Sequence, residues 1–239
     1  MRGGISWPPQ WHLHLLRGAL IALATLLFFS SLTRLPVADA LAIFFVEPLI
    51  LTLLAPIFLG EKTGWRRLSA VAVGFCGALL IIRPGAASFG WIVLLPMAAA
   101  CCFAGYLILT RKFATRMAPV PIQFYTGVAG LVVMTAALLF GHMADSGFLA
   151  ITTPDLSQWI KMAALGTVGC AGHLLVVYAF SYLDASVLAP FQYLEIVSAA
   201  ILGWLFFGEL PAIQTWTGIL IIVGAGIYIY WREQTLKRG

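Results

Sequence analysis

The feature that most limits what this chain can become is its succession of apolar runs, each about as long as a bilayer is thick. A helix needs about 20 apolar residues to cross the hydrocarbon core. Eight windows meet or approach that length, at about 14–35, 38–60, 65–83, 88–110, 120–141, 158–182, 184–208 and 211–231. Turn and charge signals part them: Arg34-Leu35-Pro36, Glu61-Lys62-Thr63-Gly64, Arg83-Pro84-Gly85, the stretch from Arg111-Lys112 to Pro121, and the one long loop at 142–157. Barrel strands would alternate polar and apolar residues in short segments, whereas these runs are continuous. Of 239 residues, 62% are hydrophobic and 10% charged; a soluble domain of this size has too little interior for so much apolar surface. The first run lacks a small-x-small cleavage pattern before Arg34, and seven more follow, so it reads as a retained span. The sequence predicts an all-α polytopic membrane protein with about eight transmembrane helices.

Charge then sets topology. The net charge is +5, yet the 14 basic residues form no stripe of the kind that tracks nucleic acid. Alternate loops divide them unevenly instead. One side collects Arg2, Arg17, Lys62, Arg66, Arg67, Arg111, Lys112, Arg116, Arg232, Lys237 and Arg238; the other has Arg34, Arg83 and Lys161. By the positive-inside rule both termini face the cytoplasm, and the chain is multi-pass in lipid. Trp7, Trp11, Trp65, Trp91, Trp159, Trp216 and Trp231 fall near span ends, as an aromatic belt does. Cys76, Cys101, Cys102 and Cys170 lie inside apolar runs without zinc spacing, so they read as small reduced packing residues.

An internal repeat organises the spans. A shift of 148 residues brings Leu35 onto Leu183, Glu47 onto Glu195, Leu54 onto Leu202, Phe58 onto Phe206, Gly60-Glu61 onto Gly208-Glu209 and Gly18 onto Gly166. Apolar matches are cheap in this composition, but two glutamates at the same spacing, each second one preceded by glycine, are not. The shift carries the second span onto the seventh, five crossings later, so the copies have inverted topology. Lys62, Arg66 and Arg67 follow Glu61, while the stretch after Glu209 has no base, which agrees with opposite sides. The repeats divide the chain at 1–85 and 86–239. Spans 4 and 5 then lack partners in the first copy. Either the chain is genuinely eight-spanning, or two helices have been lost from its start; the second is the expectation adopted.

The residues also carry a family resemblance. In the first copy it rests on Leu15-Leu16-Arg17-Gly18, Glu47-Pro48, Leu59-Gly60-Glu61, Arg66-Arg67, Gly74 to Gly77 and Arg83-Pro84-Gly85. In the second it rests on Ala189-Pro190-Phe191-Gln192-Tyr193-Leu194-Glu195, Phe207-Gly208-Glu209 and Gly218. Over about residues 12–232 the chain resembles the drug/metabolite transporter superfamily, EamA-type carriers, apparently lacking the first two helices. The resemblance implies ten helices in two EamA repeats with a solute cavity between them. The Tyr-Leu-Glu stretch is similar to bacterial carriers of S-adenosylmethionine and of riboflavin. The second copy departs by having Ile196 where the first has Pro48.

Ionisable groups inside spans cost about 2.5–3.5 kcal/mol at the bilayer centre and so tend to line a cavity or pair. Glu47 and Glu195 are therefore the leading candidates for solute binding or coupling, as proton carriers or cation partners. Gln192, three residues before Glu195, and Tyr193 supply hydrogen-bonding groups beside them, though Tyr193 is equally a packing residue. His173 is the deepest histidine; His12 and His14 lie near the interface with no further ligand, so no metal site is expected. Pro48 and Pro190 are helix-break candidates, each freeing a carbonyl one turn earlier. Glu61 and Glu209 end helices, where a carboxylate opposes the macrodipole; pairing of Glu61 with Arg66 or Arg67, or a gate contact, would account for it. Glycines 166, 169 and 172, like Gly74 and Gly77, favour close helix approach.

There is no phosphate loop and no nucleophile with a base at matching depth, so neither enzyme nor cofactor is expected. The reading is a secondary transporter of a small organic metabolite by alternating access, with S-adenosylmethionine, riboflavin, an amino acid or a drug-like solute as candidates. Its partners are the solute and membrane lipid, with no nucleic acid, and a homodimer is compatible with it. The alternative is a non-transporting membrane subunit or a truncated, inactive carrier fragment. With single cysteines at Lys62→Cys and Leu210→Cys in sealed spheroplasts, an impermeant maleimide should label the second position alone. Labelling of both, or of neither, contradicts the inverted repeat.

Overall fold

A computed structural model describes residues 10–62, 64–82, 90–143, 153–207 and 213–238. Arg83-Pro84-Gly85, Gly208-Glu209 and Trp7 lie outside them. The helices are α1 (Trp11–Ser31), α2 (Val37–Phe44), α3 (Glu47–Leu59), α4 (Trp65–Ile82), α5 (Leu94–Ala114), α6 (Pro119–Met143), α7 (Leu156–Tyr182), α8 (Ala185–Leu188), α9 (Leu194–Phe207) and α10 (Ile213–Arg238). Short 3-10 turns precede α5 (Gly90–Val93) and α9 (Ala189–Tyr193). Among the described residues, eight helical segments are long and apolar enough to cross a bilayer. Two of the expected spans are not single helices: the second is α2 followed by α3, and the seventh is α8, a 3-10 turn and α9.

Local chemistry sets the ends. Asp155 and Gln158 exchange hydrogen bonds at the start of α7: the Gln158 N–H donates to Asp155 Oδ1 at 2.7 Å, and the Asp155 N–H to Gln158 Oε1 at 2.9 Å. This reciprocal box satisfies backbone donors that a helix start leaves open. At the other end of a helix, α3 stops at Gly60, whose φ of 69° is a left-handed cap that glycine adopts without a Cβ penalty.

The chain forms two compact units, one of Met1–Leu23 with Leu109–Tyr182 and one of Ala24–Ile108 with Leu183–Gly239. Each draws on residues from both sides of position 85, so compactness and sequence repetition divide the chain differently. In the first unit Arg17 is fully buried. Its Nε donates to Thr110 Oγ1 at 2.8 Å and its Nη1 to the Ile122 carbonyl at 3.1 Å, with Thr126 Oγ1 also in contact. One helical turn earlier His14 stacks on Phe113, with ring centroids 3.9 Å apart, and tilts against Tyr125. Both of its ring nitrogens are buried without a hydrogen-bond partner. Arg111 donates to the Phe180 carbonyl at 2.5 Å, tying α5 to the end of α7.

In the second unit α4 packs along α10, and glycine makes the crossing close. A Cβ on Gly218 would come within 2.6 Å of the Gly77 carbonyl oxygen and 2.5 Å of Ile81 Cγ1. One on Gly77 would meet the Gly218 oxygen at 3.0 Å. Ala70 and Ile229 continue the contact with Val187, and Phe191 lies over them. A separate cluster joins Leu35, Ala40 and Ile92 to Phe28, Leu32, Ile43 and Leu95. Because backbone cannot give way as a side-chain tip can, Gly218→Val should destabilise the protein by about 1–3 kcal/mol, the usual cost of overpacking. Gly224→Val, on the same helix with nothing within 4 Å, should be near neutral. Thermal unfolding in detergent compares the two with helix propensity held constant.

Candidate functional site

The broken spans come together in the second unit. α2 ends at Phe44, and the N–H groups of Leu49 and Ile50 both donate to the Val46 carbonyl, at 3.0 and 3.2 Å. A continuous helix would have sent the Leu49 donor to the Phe45 carbonyl. Pro48 occupies the first turn of α3, where its missing N–H is harmless and its fixed φ suits a helix start. The break thus falls just ahead of the proline. Pro190 sits likewise in the first turn of the 3-10 segment 189–193.

The two breaks are pinned to each other. The Tyr193 hydroxyl donates to the Phe45 carbonyl at 3.3 Å, a bond between residues 148 apart in sequence. That separation is the repeat shift itself, so each residue is the other's counterpart. Tyr193 is fully buried, with its ring between Phe45 and Phe75 at centroid distances of 6.1 and 6.5 Å. Gly74 makes room for it: a Cβ there would lie 2.8 Å from the ring. Tyr193 therefore both packs and hydrogen-bonds.

Carboxylates flank this pin. Glu47 is the first residue of α3 and Glu195 the second of α9. Both stand in first turns, where the helix dipole favours negative charge. Glu47 is buried at 2% exposure, whereas Glu195 is exposed. Gln192 and Glu195 are near enough to Glu47 to act on its charge. Glu47 Oε1 and Gln192 Nε2 are nonetheless both buried without a hydrogen-bond partner. The structure thus brings together Glu47, Gln192, Tyr193 and Glu195, while His173, half-buried on α7, belongs to the other unit.

A second polar cluster lies where α3 and α4 meet α8. The Glu61 carboxylate accepts from the Ala185 N–H at 2.8 Å, the Ser186 N–H at 3.1 Å and the Ser186 hydroxyl at 2.9 Å. Arg67 donates to the same Ser186 Oγ at 2.7 Å and stands 3.8 Å from Asp184. Glu61 follows the C-terminal end of α3 but caps the N-terminus of α8, so its charge meets a favourable helix end after all. Sequence reasoning looked for its partner among neighbouring bases. It also passed over Ser186, buried Asp39 in the first turn of α2, and buried Thr52, whose hydroxyl donates to the Pro48 carbonyl at 2.7 Å. The repeat held the missing signal for Ser186: residues 185–186 match 37–38, the start of α2, so a helix start was to be expected there.

Comparison with known proteins agrees with this architecture. The chain is 32% identical over 226 residues to a riboflavin transporter of Brucella anthropi, covering 95% of this chain and 78% of that protein. It is 33% identical over 221 residues to an S-adenosylmethionine uptake transporter of Rickettsia bellii, covering 92% and 73%. A protein crystal structure superposes with a TM-score of 0.70 at 19% identity, covering 93% of this chain and 89% of that one, which shows a shared fold. The EamA-like transporter family matches residues 1–83 and 90–231. This chain belongs to the EamA-like transporter family.

Proposed function

We propose that this protein is a secondary carrier that moves a small organic metabolite across a bacterial inner membrane, with both termini cytoplasmic, and that the paired helix breaks hold its solute. The observation that carries the reading is the junction of two spans interrupted at repeat-equivalent residues. There a buried carboxylate and a buried amide stand unengaged beside an aromatic cluster. Irregular backbone at membrane depth is tolerated where protein or a watery cavity covers it, and carriers built from inverted repeats bind solute at such broken helices. Repeats at 1–85 and 86–239 would exchange roles as access alternates. The protein converts nothing chemically in this reading.

The names of two relatives support one class of solute. Riboflavin and S-adenosylmethionine differ in charge but share a flat nitrogen heterocycle whose edge alternates donors and acceptors. The Glu47 and Gln192 pair among Phe45, Phe75 and Tyr193 suits such an edge, with the carboxylate accepting an N–H and the amide donating to a ring acceptor. His173, Pro48 and Pro190 shape access and the breaks and make no contact with solute in this reading.

Proteoliposomes test it. Labelled riboflavin or S-adenosylmethionine should accumulate saturably, above protein-free vesicles. Glu47→Gln should slow uptake by about tenfold or more, the effect of losing one hydrogen bond to a charged group. Entry of neither compound would remove the heterocycle reading. Glu195→Gln tests coupling separately: it should abolish the response to an imposed pH gradient, and uptake unchanged at every pH would exclude Glu195 as a proton carrier.

A further inference from the structure

The second unit carries a groove on its surface that the junction of the two breaks does not use. It lies between α3 and α4, encloses about 120 Å³, and is lined by Thr52, Leu53, Pro56, Gly64, Trp65 and Leu68. Local sequence opens it. Pro56 stands inside α3, where it cannot donate to the Thr52 carbonyl and its ring crowds the preceding turn. A Cβ on Gly64 would meet nothing within 4 Å. The Thr52 hydroxyl, the polar group on the α3 wall, is turned to the Pro48 carbonyl at 2.7 Å. The walls therefore present mainly carbon, and Leu53, Ile57 and Phe58 are exposed beside them.

The mouth has the opposite character. Lys62, in the turn between the two helices, and Arg66, in the first turn of α4, are both exposed. The Arg66 guanidinium lies over the exposed Trp65 indole, 5.6 Å from the ring centroid. Their neighbours face the other way. Glu61 gives its carboxylate to the start of α8, and Arg67, about 100° further around the helix, turns inward to Ser186. Two bases thus point outward while the nearby acid is engaged within the unit.

We infer that this groove holds an anionic phospholipid, one acyl chain lying along Leu53, Pro56 and Leu68 and the phosphate resting against Lys62 and Arg66. Dimensions agree. Thr52 lies seven residues from the end of α3, about 10 Å at 1.5 Å per residue, so the slot runs from headgroup level into the acyl region. Trp65 stands where tryptophan marks the interface. A zwitterionic lipid would fit the apolar walls equally well, so the choice of headgroup falls to the two cations, as at other basic pockets between membrane helices. The lipid touches the helix that begins at the break without entering the junction. The inference rests on α3 and α4 alone, so it stands or falls apart from transport and from the solute.

Proteoliposomes of the full chain in phosphatidylcholine test the site, with a trace of phosphatidylglycerol carrying a diazirine on one acyl chain. On illumination the probe should attach within residues 52–68, read by mass spectrometry of peptides. The same probe built on phosphatidylcholine should label that segment at least about fivefold less, the preference that two interfacial cations confer on an anionic headgroup. Lys62→Gln with Arg66→Gln should remove the preference without moving the melting temperature, since both side chains are exposed. Lys112→Gln with Arg116→Gln, an equal loss of charge at and just beyond the end of α5, should leave it in place. Leu53→Trp, which fills the slot from an exposed position, should lower labelling by both probes. Equal labelling by the two headgroups, an unchanged preference without Lys62 and Arg66, or the same loss without Lys112 and Arg116 would each overturn the proposal. So would a disulfide dimer through Leu53→Cys in an otherwise cysteine-free chain, which would give the groove to a second copy.

Discussion

A carbonyl that leaves its helix inside a bilayer has no water to turn to, and an unsatisfied one costs several kcal/mol. The second unit is arranged around that constraint. When α2 stops short of Glu47, the Phe45 carbonyl loses its donor, and the hydroxyl of Tyr193 replaces it from the other broken span. Everything nearby follows from seating that tyrosine. Gly74 must lack a Cβ, Phe45 and Phe75 must flank the ring, and the turn at 189–193 must hold its pitch. The bond joins residues one repeat shift apart, so the two broken spans meet at matching positions.

Helix ends do most of the electrostatic work. Glu47 and Glu195 occupy first turns, and Glu61 closes the start of α8 from another helix. In each case a carboxyl group stands at the N-terminal end of a helix, where the first turn leaves backbone N–H groups open. Arg67 completes the second cluster through Ser186, so a single hydroxyl links an acid and a base from the first half of the chain to a helix start in the second.

Much of this was legible beforehand, for reasons that can be named. Span count follows from hydrophobic length, which a bilayer enforces strictly. The glutamates at 47 and 195 stood out because charge is expensive at their depth and because they repeat. Their neighbours Gln192 and Tyr193 were legible as hydrogen-bonding side chains. That Tyr193 would hold a backbone carbonyl was not, since nothing in local sequence says where a broken helix finds its donor. Pro48 pointed to a break but not to its position, because proline is comfortable in a first turn and the interruption falls on the residues before it. Glu61 misled for a related reason: its place after α3 suggested an unfavourable dipole, and only tertiary structure brings the start of α8 to it.

The buried arginine of α1 bears on how such a protein is made. Its oxygen partners at Thr110 and Ile122 lie 93 and 105 residues further along the chain, so at the ribosome the first span emerges well before them. During that interval the guanidinium must stretch toward the headgroups on its flexible stem, or the helix must wait at the insertion channel. Arg17 therefore sets an order of events during synthesis. The first span can settle to its final depth only after the fifth has entered the lipid.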